Sequence, residues 1–135
     1  MTSLARISAA LLIAASFGPS AFAHHSGAMF DNAHPQTFSG TIRAFNWTNP
    51  HVSVEIVSDT NAPKPSVLWT LEGSSPGVMT RSGWTKRSLN PGDRVTVTVA
   101  PLRDGGLGGG LRKVVLADGK VLTQSVAALP NEAPR

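Results

Sequence analysis

From Thr37 to Trp47 apolar and polar positions alternate: Phe38, Gly40, Ile42 and Ala44 share one face, and Ser39, Thr41 and Arg43 the other. This two-residue period predicts a half-buried strand. Phe45 and Trp47 then fall on the polar face, so either a bulge swaps the faces or two aromatics stand out toward a partner. Asn49-Pro50 breaks the run, because proline has no N–H for a ladder and biases its predecessor toward an extended or turn conformation. His51 opens a second strand in which Val52, Val54 and Ile56 oppose Ser53 and Glu55. A third places Val67, Trp69 and Leu71 opposite Leu68, Thr70 and Glu72, after a turn rich in Pro, Asn and Asp over 59–65.

The period then changes. Ser75 is suited to accept from early helical amides, Pro76 has the fixed φ of a first helical residue, and Gly83 supplies a stop, which predicts one short helix over 76–82. A fourth strand follows, with Val95, Val97 and Val99 alternating with Thr96 and Thr98. Gly105 to Gly110 reads as a glycine-rich hinge. Leu111 to Leu116 and Val121 to Thr123 flank Asp118-Gly119, a pair suited to a tight hairpin turn. Three strands, a short helix and further strands follow the order of an OB-type barrel, in which the helix plugs the barrel end between strands 3 and 4. The pattern therefore predicts a mainly β protein whose core, residues 37–126, is an OB-like barrel of five to six strands. A polar arm (24–36) precedes it and a tail (127–135) follows.

The first 23 residues change the picture of where this barrel works. Arg6 precedes a short apolar stretch, Ile7 to Phe17; Gly18-Pro19-Ser20 breaks it, and Ala21-Phe22-Ala23 has the small-x-small pattern of a signal-peptidase site. Some 11 apolar residues span roughly 16 Å as a helix, about half a bilayer core, so the segment is expected to be a cleaved signal peptide rather than an anchor. Cleavage would make His24 the new N-terminus of a periplasmic or secreted chain. The sequence has no cysteine, so an oxidising compartment brings neither disulfides nor thiolate chemistry, and any metal must be held by nitrogen or oxygen. Of 12 Lys and Arg, Arg6 alone belongs to the leader, which leaves 11 cations against 8 Asp and Glu. Export and this modest excess argue against nucleic acid as a partner and leave a metal ion, a small ligand or an envelope protein.

His24-His25-Ser26 beside Met29-Phe30-Asp31, the segment Phe45-Asn46-Trp47-Thr48-Asn49-Pro50-His51, Gly73-Ser74-Ser75-Pro76, and Gly83-Trp84 with Pro91-Gly92-Asp93 together form a recognisable set. In these the chain resembles domain-of-unknown-function family 6152, small secreted bacterial proteins with an N-terminal His-His-Ser and a Trp-Thr-Asn-Pro-His motif. The resemblance covers roughly His24 to Leu122. It implies no activity, cofactor or catalytic residue.

All four histidines, His24, His25, His34 and His51, lie early in the chain. With the leader removed, the α-amine and ring Nδ1 of His24 would form a chelate, and imidazole nitrogens suit copper, nickel and zinc. His51, fixed at a strand start, would complete a T-shaped nitrogen site, with His25 and His34 as alternative third ligands. Copper is the expected ion. No spacing of the H-x-x-x-H or H-x-H kind holds two of these on one rigid element, and a histidine pair on an arm is also compatible with a solvated tail.

Aromatic side chains supply the rival expectation: OB barrels bind ligands across strands 2 and 3, often by stacking, which makes Trp47, Trp69, Trp84 and the neighbouring Asn49 candidates. Trp69, sharing its face with Val67 and Leu71, equally suits the core. The glycine run lacks the Lys-Ser/Thr pair and helix of a phosphate loop, no G-x-S-x-G elbow is present, and whether Glu55 and Glu72 are neighbours is left open. A binding module is therefore expected rather than an enzyme.

Overall fold

A computed structural model describes residues 26–124; the expected signal peptide and the C-terminal tail lie outside that range. The elements are β1 (Gln36–Asn46), β2 (Ser53–Ser58), β3 (Leu68–Glu72), α1 (Pro76–Arg81), β4 (Arg94–Pro101), β5 (Gly108–Leu116) and β6 (Val121–Thr123). The sheet order β3-β2-β1-β4-β5 is closed by a parallel pairing of β3 with β5, which makes a five-stranded barrel, and β6 adds to β5 as a hairpin. With α1 between β3 and β4, this is the OB arrangement that the sequence predicts. Among the described residues, no helix is long and apolar enough to cross a membrane.

Two bulges give the barrel its curvature. On β1 the register jumps between Ile42 and Ala44, so Arg43 is an extra residue and the faces exchange beyond it. Phe45, paired with Val54, consequently packs against the core, and Trp47 follows it, their rings 5.7 Å apart. Of the two outcomes the pattern allows, the bulge is the one realised. A second jump, opposite Val99, leaves Arg112 as the extra residue on β5. Inside, Ile42, Val54, Ile56, Leu71, Val97, Val99, Leu111 and Val114 are buried together with Trp69 and Trp84. Each buried aliphatic side chain of this kind contributes roughly 1.5–3 kcal/mol.

Helix α1 begins where the sequence places it: Ser75 is extended and its side chain accepts from Val78 N at 3.4 Å. It ends one residue early, at Arg81, with Gly83 at φ 85° just beyond. Met79, fully buried, is the side chain that α1 drives into the barrel end. The indole of Trp84 joins it there and donates to Thr123 O at 2.8 Å, tying the segment after α1 to β6.

The glycine-rich stretch is not a hinge throughout. Gly108–Gly110 form the start of β5, lying between β3 and β4 at the closure of the barrel. A Cβ on Gly109 would stand 2.5 Å from Ala100 O, and one on Gly108 3.0 Å from Thr70 O. The strands approach too closely there for any side chain, which is why glycine occupies the position. Outside Gly110, the ring of Phe30 fills the space that a side chain would take, 3.2 Å from the Cβ position. Phe30 bridges to Leu102, Asp31 N donates to Pro101 O at 2.8 Å, and Arg103 N donates to Met29 O at 3.0 Å. The arm is thus laid against the barrel from Met29 onward, with Phe30 as the pin and Met29 itself exposed.

Candidate functional site

The loop from Trp47 to Val52 joins β1 to β2 at the rim of the barrel. Asn49 is exposed there, with a cis peptide bond to Pro50. His51 leaves this loop, and the antiparallel register of β2 with β3 sets Ser53 opposite Glu72. The His51 imidazole therefore reaches the Glu72 carboxylate, Nδ1 to Oε1 at 2.8 Å, and both side chains stay partly open to solvent, at 45% and 37%. A carboxylate can only accept, so Nδ1 carries the proton, and in the neutral ring the lone pair sits on Nε2. This carboxylate–imidazole pair orients a histidine as metal-ligating histidines are oriented, with the second nitrogen directed away from its partner.

Glu55 and Glu72 are diagonal neighbours on the same outer face, because Glu55 pairs with Thr70 and Glu72 with Ser53. They do not share a proton-transfer geometry: Glu72 is taken by His51, while Glu55 faces Arg43 Nε at 3.8 Å. Asn46 Nδ2 donates to Ser53 Oγ at 3.1 Å beside them.

His34 repeats the arrangement on the arm, its Nδ1 2.9 Å from Asp31 Oδ2 and its side chain almost fully exposed. The His34 hydrogen bond, aided by the charge of Arg103, holds the Asp31 carboxyl below the usual carboxylate range. His24 and His25 lie outside the described residues. Among the described residues no three of His, Asp and Glu converge as a metal would require. His51 is thus one oriented nitrogen, and a complete ligand set needs donors from another segment. Phe30 pairs with Leu102 at the end of β4, so the arm's backbone lies across β4 and β5 from β3, about three strand spacings from Glu72, and it is the Phe30 ring that reaches over Gly110, the register partner of Glu72. Ser26–Met29 form a 3-10 turn that rises about 2 Å per residue, so the segment from Phe30 back to His24 spans at most about 17 Å.

A profile for Family of unknown function (DUF6152) matches residues 11–112. The chain belongs to this family. The DUF6152 match takes in the arm, the Trp47–His51 loop, Glu72, α1 and the glycine closure of β5, and stops before β6. No curated protein and no solved structure matches the chain.

The aromatic candidates separate. Trp69 is buried, 2% exposed, with its ring 4.9 Å from Phe38 and Lys64 Nζ 5.9 Å from its own centroid. It serves the barrel interior, as its shared face with Val67 and Leu71 allows. Trp47 is half-buried against Phe45 and keeps one side at the rim, next to exposed Thr48 and Asn49. Glu72 is the residue that sequence reasoning missed as a site member. It lies 21 positions from His51, and only the strand register brings the two together.

Proposed function

We propose that this DUF6152 chain is an exported copper-binding protein whose site combines the amine and imidazole of His24 with Nε2 of His51, His25 and His34 being alternative third donors. The observation that carries the reading is the His51–Glu72 pair: it fixes the imidazole and leaves its second nitrogen as a donor. The docking of the arm supports it further, because the Phe30 ring tethers the segment that follows His24 to the barrel over Gly110, the register partner of Glu72. A neutral imidazole and an N-terminal amine together suit copper(II). No reaction is assigned.

The test is a calorimetric copper(II) titration of protein beginning at His24 and of a copy extended by Ala-Pro-Ala, in which proline blocks chelation by the backbone amide and neither His24 nor His25 stands third in the chain. The extended copy is expected to bind at least about tenfold more weakly, because the six-membered chelate ring of the His24 amine and Nδ1 is lost while every side chain remains. Equal affinities would remove the N-terminal donor from the site.

The second reading is a small-ligand or envelope-protein contact through Trp47 and Asn49 with no metal. The half-open indole at the rim supports it, and a parent protein that binds no copper(II) but captures a ligand or partner that Trp47→Ala does not would favour it.

A further inference from the structure

Cations without a carboxylate partner are frequent in two segments of this barrel. Every carboxylate that meets a cation or histidine within 4.0 Å among the described residues does so through Arg43, Arg94, Arg103, His34 or His51. Seven cations among the described residues meet none: Lys64 and Arg112 donate instead to Gly105 O and Asn32 Oδ1, and the other five, Arg81, Lys86, Arg87, Lys113 and Lys120, are all exposed. The chain from Gly73 to Gly92, which holds the first three, contains no acidic residue. On the β5–β6 hairpin the single acid is Asp118, at the turn, where its carboxylate accepts from Lys120 N.

These two basic segments are neighbours in space. Trp84 donates to Thr123 O, and the Gln124 side chain exchanges hydrogen bonds with Ser74, at 3.1 Å from its backbone N and 3.0 Å to its Oγ. Lys113 is paired with Thr123, and Val115 with Val121, so Lys113, Val115, Val121 and Thr123 share the outer face of the hairpin. Val121 is the most exposed large apolar side chain among the described residues, at 53%. An apolar side chain standing out beside lysines, with further cations on the adjoining segment, matches the layered chemistry of a bilayer surface, where phosphates lie above the acyl boundary.

We propose that this face, formed by residues 81–87 and the β5–β6 hairpin, docks the protein onto an anionic phospholipid surface. The docking uses neither His51 nor Glu72, so it stands or falls independently of copper. Cations near such a surface contribute about fivefold each to partition, and the attraction is screened by salt.

The experiment is co-sedimentation of the mature protein with vesicles of phosphatidylcholine alone and of phosphatidylcholine mixed with phosphatidylglycerol, at low and high salt. Binding only to the mixed vesicles, removed by salt, is expected. The variant Lys86→Gln/Arg87→Gln/Lys120→Gln should bind about a hundredfold more weakly. Val121→Ser should lose several-fold, and Lys64→Gln, on the β2–β3 loop, should stay close to the parent. Circular dichroism of each variant separates loss of charge from loss of fold. Equal binding to both vesicle types, parent-like binding of the triple variant, or capture by dextran sulfate without vesicle binding would overturn the proposal.

Discussion

Gly109→Val is expected to lower the stability of the barrel by about 3 kcal/mol or more, enough to shift the urea midpoint by about 1–3 M. The collision is with backbone: a Cβ at this position would lie 2.5 Å from Ala100 O and 3.1 Å from its carbonyl carbon. No rotamer relieves such a contact, so β4 and β5 must separate at the seam where β3 also pairs. Gly77→Ala supplies the opposite result in the same assay. It sits inside α1 with nothing within 4 Å of the added methyl, and replacing a helical glycine by alanine should raise stability by about 0.5–1 kcal/mol. A parent-like midpoint for Gly109→Val would mean that the closure is looser than described.

Glu72→Gln is expected to weaken copper(II) binding by about 10- to 100-fold, with little change in thermal stability. The amide keeps the volume of the carboxylate, but it can turn either its oxygen or its NH₂ toward His51 Nδ1 and so no longer fixes Nε2 as the nitrogen with the lone pair. The partial exposure of the pair means that folding depends little on it. Loss of affinity together with a large fall in stability would place Glu72 in the fold instead of the site. Unchanged affinity would separate His51 from the metal.

Much of the barrel is written in the alternation of β2, β3 and β4, where Val52, Val54, Ile56, Trp69, Leu71, Val95, Val97 and Val99 all turn inward. The helix was legible for a different reason: Ser75 and Pro76 specify a start by hydrogen bonding and by φ, independent of what packs on the helix. The start of β5 was not legible. A strand is recognised from side chains on alternate faces, and Gly108–Gly110 has none, so its role is visible only once β3 and β4 lie on either side. Phe45 marks an intermediate case, where the break in phase announced an irregularity at the end of β1 without saying which. At the site, His51 was recognisable as a fixed imidazole, whereas its carboxylate depends on the Ser53 to Glu72 register. Trp69 could be placed in the core from its neighbours on β3; Trp47 needed the bulge at Arg43 to be placed at all.

In the proposed site His51 supplies one nitrogen to copper. The direct measurement is the electron paramagnetic resonance spectrum of the mature protein with one equivalent of copper(II), compared with that of His51→Ala. Replacing His51 should remove one nitrogen coupling and change the copper hyperfine splitting, while the couplings of the N-terminal chelate persist. Superimposable spectra from the two proteins would contradict it.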